Sequence, residues 1–254
     1  MVRALLRSLA ILECFSVDKS ALSLQDIYRK VELPKSTTFR LVTTLQSAGY
    51  LLQRADQRYT LSYKLLLLGS VVRETLDVRD ITRPIMEELS RSTGETVTLS
   101  TRSGLERICL DMVQSSSLLR SVVLPGDRLP LLYGATGKMF LAQLDSKTIE
   151  IVRTTQQIPK KRIARKTLMQ AVSSIRENGY ALTQDDRVDG VMAIAVPIRD
   201  TLAEMRYCMT ITGPSTRFLG REQSLIDQMV RVGKRVSTLL GYTAPRLAAD
   251  RAQD

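Results

Sequence analysis

Ser36, Thr37, Arg40, Thr43, Thr44 and Ser47 recur at helical spacing as one polar face that carries a single Arg and no acid. Small hydroxyls around an Arg suit close approach to phosphates and base edges. A solvated helix surface is usually richer in Glu and Lys, which form helices better than Thr; a plainly solvated polar face is the other reading. Absences narrow the chemistry further. The 254 residues contain no His and no Trp, which excludes Ser-His-Asp and Cys-His nucleophiles, His-based proton transfer and His-bound metals. Cys14, Cys109 and Cys208 are far apart and form no C-x-x-C pair, so neither a disulfide framework nor a zinc site is indicated. Cys109 and Cys208 lie in apolar runs and read as small buried residues. Gly137-Lys138 would need Gly at 132 and Ser or Thr at 139 to make a phosphate-binding loop, but those positions hold Leu132 and Met139. Asp185, Asp186 and Asp189 could offer oxygens to a hard cation, though a polar loop is the simpler reading. No catalytic residue, metal or cofactor is expected.

The charge points to a polyanionic partner. Lys and Arg number 37 against 26 Asp and Glu, a net charge of +11. Residues 1–64 hold ten basic and five acidic side chains. Residues 151–176 hold seven basic ones (Arg153, Lys160, Lys161, Arg162, Arg165, Lys166 and Arg176) and no acid. The second stretch reads as a solvated surface, with contact to DNA flanks or an acidic partner as the alternative. No apolar run approaches the roughly 18 residues of a membrane helix, and the first residues show no cleavage signal, so a cytoplasmic protein is expected.

The elements that must position the polar face come next. Leu5, Leu9, Leu12 and Phe15 predict a first amphipathic helix. Ser23, with Asp26 three residues on, predicts the capped start of a second. Pro34 suits the opening turn of a third, with Phe39, Leu41, Val42 and Leu45 as its apolar stripe and Gly49 closing it. Tyr50–Arg54 and Arg58–Leu61 around Ala55-Asp56-Gln57 predict a hairpin. Three short helices and a basic-tipped hairpin make a winged helix-turn-helix, whose third helix enters the major groove. Leu65–Leu68 open a helix that reads as a linker, either pairing with another subunit or burying against the next domain. From residue 95 strands and helices mix in an α+β domain.

Taken together these residues resemble the IclR family of bacterial transcriptional regulators over nearly the whole chain. The first-domain matches are Arg3-Ala4-Leu5…Leu9-Ala10-Ile11-Leu12-Glu13, Leu33-Pro34-Lys35-Ser36-Thr37…Arg40-Leu41…Leu45, and Arg58-Tyr59-Thr60-Leu61…Leu68-Gly69. Further on come Gly94-Glu95-Thr96-Val97, Gly126-Asp127, Gly137-Lys138…Leu141-Ala142, Gly179-Tyr180-Ala181, Ala193–Ile198 and Gly213-Pro214. The resemblance implies a DNA-binding domain at 1–63, a linker helix at 64–80, a GAF-like mixed α/β effector-binding domain at 81–245 and a polar tail at 246–254. It also implies homodimers, often paired into tetramers, that act on palindromic operators, commonly as repressors, under the control of a small organic acid or aromatic metabolite.

On that reading Lys35, Ser36, Thr37, Thr38, Arg40, Thr43 and Thr44 contact double-stranded DNA, with Arg54, Gln57 and Arg58 on the wing. The resemblance places the effector among Tyr133, Gly134, Ala135, Thr136, Thr183, Asp186, Val191, Ala193, Thr210 and Thr212, with Ser121 and Leu129 as outer candidates. Backbone N–H groups at the helix start after 134 would suit a carboxylate. This chain has Leu132 where the family often has His, and Ala193 where it often has Ser, Thr or Cys. A less polar pocket and an apolar-bodied acid are therefore expected. Two other readings stand beside this one: a small-acid enzyme relying on Asp186 or Lys138, and a nucleoid-type binder with no ligand response.

Overall fold

The computed structural model describes residues 2–16, 18–75, 77–117, 123–157 and 162–243. Ser121, Lys160, Lys161 and the tail at 246–254 lie outside them. The chain divides into two compact units, Met1–Asp77 and Val78–Asp254.

The first unit holds α1 (Arg3–Leu12), α2 (Leu24–Val31), α3 (Lys35–Ser47), β1 (Leu51–Gln53), β2 (Tyr59–Leu61) and α4 (Tyr63–Thr75). The start of α2 is a reciprocal cap: the Ser23 N–H donates to Asp26 Oδ2 at 3.0 Å, and the Asp26 N–H donates to Ser23 Oγ at 3.1 Å. Gly49, at φ 78°, follows the last turn of α3, a conformation in which a side chain is strained. β1 and β2 pair antiparallel, Leu51 opposite Leu61 and Gln53 opposite Tyr59, and Tyr59 also bridges Leu22. Ile11, Leu22, Ile27, Val42, Leu45, Leu51 and Tyr59 close the core. Leu66, Leu67 and Leu68 on α4, and Leu5, Leu6 and Leu9 on α1, remain exposed.

The second unit opens with α5 (Val78–Thr93), β3 (Thr96–Ser103), β4 (Glu106–Val113) and β5 (Arg128–Pro130). It continues through α6 (Gly134–Leu141), α7 (Ser146–Thr155), α8 (Arg165–Asn178), β6 (Ala181–Gln184), β7 (Val191–Arg199), β8 (Met205–Pro214), α9 (Ser215–Phe218) and α10 (Glu222–Leu239). The six strands form one antiparallel sheet in the order β5-β4-β3-β8-β7-β6. Strand alternation sorts its side chains into two faces. Val97, Leu99, Ile194, Val196, Ile198, Met209 and Ile211 pack with Ile85, Met86 and Leu89 of α5 and Leu225, Met229 and Val236 of α10. Ala195 and Cys208, on the opposite face, pack with α6 and α8.

Two cations of the basic stretch at 151–176 are held by the fold. Arg153 pairs with Glu150 at 2.5 Å. Arg176 donates to the Ala142 and Leu144 carbonyls at 2.7 Å each, just past the end of α6, which satisfies acceptors the helix leaves open. Among the described residues no helix is long and apolar enough to cross a membrane.

Candidate functional site

The polar face of α3 is exposed at Lys35, Ser36, Arg40, Thr43, Thr44 and Ser47, with Thr37 half-buried. Two expectations fail at its edge. Thr38 is fully buried, and its hydroxyl donates to the Pro34 carbonyl at 3.2 Å, whereas Phe39 is 52% exposed. The inward stripe is Thr38, Val42 and Leu45, spaced i, i+4 and i+7; Phe39 lies about a quarter-turn away, beside the polar face. Thr38 therefore braces α3 from within.

On the hairpin Arg54, Gln57 and Arg58 are all exposed. Gln57 takes a positive φ of 62° in the turn and accepts from Gln53 Nε2 at 2.9 Å. Arg58 lies beside Asp26 in a groove that also has Arg29 and Lys30 on its wall. Lys35, Arg40, Arg54 and Arg58 thus supply several solvated cations within the first unit, as phosphate contact requires.

The second unit contains a cavity of about 570 Å3, its mouth included, between the sheet and α6. Gly134, Ala135, Thr136, Thr183, Asp186, Val191, Ala193, Thr210 and Thr212 all line it. The sheet register explains why the hydroxyls converge. Thr98 faces Thr210 and Thr96 faces Thr212 across β3 and β8, and Ala193 faces Thr212 across β7 and β8. Thr136 and Thr210 share a hydrogen bond of 2.8 Å, and Cys208 Sγ lies 3.7 Å from Thr210 Oγ1. Burial pushes the Cys208 thiol up to about 12, so it stays protonated as a small filler.

Two candidates do not line the cavity. Tyr133 is buried and reaches Gln157 Oε1 at 3.4 Å, and Leu129 is half-buried on β5 opposite Arg107. Conversely Thr96, Thr98, Arg107, Val123, Arg187 and Val188 line it without having been singled out from sequence. With six threonines and three charged residues around it, the cavity is more polar than Leu132 and Ala193 led us to expect.

The start of α6 is also not left open. Asp186 Oδ2 accepts from the Gly134 N–H at 2.5 Å, and its other oxygen accepts from Lys138 Nζ at 2.5 Å. The protein's own carboxylate occupies the first amide of the helix, and Lys138 neutralises it. Gly134 sits at φ 80°, and a Cβ at Gly137 would collide with the Leu131 carbonyl. Gly137-Lys138 is thereby explained by close packing and an ion pair. Asp185, at φ 54°, uses its carboxylate to hold the Gly190 N–H at 2.5 Å. No group of three or more Cys, Asp or Glu poised for a metal occurs among the described residues.

Arg107 sets the electrostatics of the cavity. It is 5% exposed, and its Nε has neither a partner nor solvent. Burial first, and the positive charge of Arg187 second, push its guanidinium down to about 10. It remains a cation at neutral pH.

Residues 4–55 match the family model of the IclR helix-turn-helix domain, and residues 71–238 match that of the bacterial transcriptional regulator IclR C-terminal domain. The chain is 29% identical over 250 residues to the HTH-type transcriptional regulator XynR of Escherichia coli K12, covering 96% of this chain and 99% of that protein. Its fold is similar to that of the Agobacterium tumefaciens repressor BlcR, with a TM-score of 0.82, 21% identity and coverage of 96% and 99% of the two chains. A further likeness, at a TM-score of 0.58, 22% identity and coverage of 94% and 100%, is to an IclR homologue from Microbacterium hydrocarbonoxydans solved in complex with 4-hydroxybenzoate.

Proposed function

The chain belongs to the IclR family of bacterial transcriptional regulators, and from that premise we propose that it is a cytoplasmic repressor whose operator affinity is set by a small organic acid bound between the sheet and α6. The observation that carries this reading is the cavity itself. Segments at 134–136, 183–193 and 210–212 converge on it and furnish its wall with hydroxyls and charged groups, the few convergent polar groups that small-molecule sites carry. A relative of the same fold holds 4-hydroxybenzoate, a small carboxylic acid. Lys35, Ser36, Arg40, Thr43 and Thr44 then read the major groove, and Arg54 and Arg58 steady the flanking backbone.

A palindromic operator calls for two copies of the reading helix. Leu66, Leu67 and Leu68 are 64%, 67% and 50% exposed on α4, and Leu5 is 60% exposed on α1. A surface so apolar suits a second copy of this chain better than water, and α4 serves as the linker helix. The acid acts by binding DNA-competent and DNA-incompetent dimers unequally, since equal affinity would shift nothing.

The test is fluorescence anisotropy with the DNA upstream of the protein's own gene against scrambled DNA, over a salt series, with and without small carboxylic acids. Preference for the upstream fragment, changed by at least one acid, is expected. Arg40→Ala in a folded dimer should weaken that binding by about 1–3 kcal/mol. Equal affinity for both DNAs, indifferent to every acid, would sink the reading in favour of a nucleoid-type binder.

A further inference from the structure

Buried charges in a protein interior are paired, because an isolated one loses its hydration without compensation. The second unit obeys this rule at two places. Glu95, 1% exposed, is held by Arg217, whose Nε donates to Glu95 Oε1 at 2.7 Å. Lys138 and Asp186 hold one another at 2.5 Å. Arg107 breaks it: among the described residues no carboxylate or carbonyl accepts from its guanidinium, and the charged side chain whose field acts on it most strongly is another cation, Arg187. The side chain is one of the cavity walls, with Nη2 3.7 Å from the point where a Cβ on Gly134 would sit.

A second observation agrees. Only two buried side-chain polar atoms lack a hydrogen-bond partner among the described residues, Arg107 Nε and Ser100 Oγ. Ser100 lies opposite both Cys109 and Cys208 in the register, and Arg107 is two residues from Cys109 on β4. Both therefore belong to the sheet face that the cavity lies against. The deficit of partners is local to one face, the one the cavity lies against.

We infer that Arg107 is the anion anchor of the effector cavity and that its ligand is a small monocarboxylate whose carboxylate enters first, beneath the start of α6. The inference rests on reading the cavity as the effector site. A planar guanidinium matches the two oxygens of a carboxylate in one plane. Thr98, Thr136 and Thr210, which line the same cavity, are neutral, and Asp186 already has Lys138 and the Gly134 N–H as partners. One uncompensated buried cation among neutral hydroxyls balances one negative charge, which favours a monocarboxylate over a phosphate dianion. Arg187 at the exposed loop adds attraction for an incoming acid, and Val188, Val191 and Ala193 face the remainder of its body.

The experiment uses the full-length protein and measures binding by calorimetry for benzoate, 4-hydroxybenzoate and pyruvate, for the matching amides, and for inorganic phosphate. At least one carboxylate should bind tenfold or more tightly than its amide and than phosphate. Arg107→Gln should erase that preference, and Arg107→Lys should restore part of it. The Tm of ligand-free Arg107→Met should rise above that of the wild type, the reverse of what a merely structural Arg would give. Ala193→Leu, which fills the cavity from β7 without touching the anchor, tests the underlying reading separately. Loss of binding in Ala193→Leu with an unchanged carboxylate preference in Arg107→Gln would keep the cavity as effector site and overturn Arg107 as its anchor. Binding that survives both substitutions would overturn the cavity reading and the anchor together. Binding of phosphate as tight as of any carboxylate, or of no carboxylate at all, would overturn the ligand class.

Discussion

The two faces of the six-stranded sheet are built from the same strands and have opposite characters. On one, Val97, Leu99, Ile194, Val196, Met209 and Ile211 meet α5 and α10 in a continuous apolar layer. On the other, the alternate positions are Thr96, Thr98 and Ser100 on β3, Arg107 and Cys109 on β4, Ala193 and Ala195 on β7, and Cys208, Thr210 and Thr212 on β8. Large side chains fill the first face and hold its helices. Small and hydroxyl-bearing ones leave a hole on the second and furnish it with donors, so one sheet divides close packing from a polar cavity by the parity of its residues.

The largest effect should come from breaking the filled face. Leu89 of α5 is 1% exposed within the apolar layer, and Leu89→Ala should cost about 4 kcal/mol of unfolding free energy by denaturant titration. Intrinsic acid affinity per folded molecule should be unchanged, because the truncation lies on the other side of the sheet. A loss of acid affinity in the folded fraction would show that the faces are not separable.

The open face should respond with the other sign. Burial pushes the Arg107 guanidinium in the folded chain down to about 10, well below its ordinary value. A base whose folded pKa is depressed binds its proton better in the unfolded chain. The penalty is present in full below pH 10 and lifts as pH rises above 10 toward the ordinary guanidinium range. The difference corresponds to roughly 3 kcal/mol. Arg107→Met should therefore stabilise the ligand-free protein by about 1–3 kcal/mol at neutral pH. Its advantage over the wild type should shrink above pH 10, measured as the difference between the two denaturation curves so that other titrating groups cancel. A destabilised Arg107→Met would mean that the guanidinium is compensated after all.

The difference between the faces also separates what was legible in the sequence from what was not. Periodicity gave the helices and longer strands, and motif positions gave nine of the cavity's lining residues, among them Thr210 and Thr212, which share a strand face two residues apart. It did not give Thr96 and Thr98, because their place beside Thr212 and Thr210 depends on the pairing of β3 with β8, more than 100 residues on. Arg107 carried a local signal that went unused: its spacing of two from Cys109 puts both on one face of β4. That no partner arrives depends on every element around β4, which no local pattern records. In α3 hydrophobicity favoured Phe39 over Thr38 for the core, yet Thr38 is in phase with Val42 and Leu45 and satisfies its hydroxyl on the carbonyl one turn back.

The finest test of the comparison lies within the open face. Ser100 and Thr210 are both buried there, but Ser100 Oγ has no partner whereas Thr210 Oγ1 shares a hydrogen bond with Thr136. Removing an unpartnered buried hydroxyl relieves a desolvation cost, so Ser100→Ala should be neutral or stabilising by up to about 1 kcal/mol. Thr210→Val keeps the shape but strands the Thr136 hydroxyl, and should cost about 1–2 kcal/mol. Thermal unfolding of the two variants side by side reads the signs directly. Opposite signs would mean that polarity on this face is tolerated only where it is paired within the protein or reserved for a ligand. A loss in Ser100→Ala comparable to that in Thr210→Val would place an ordered water on Ser100 and reduce the acceptor deficit to Arg107 alone.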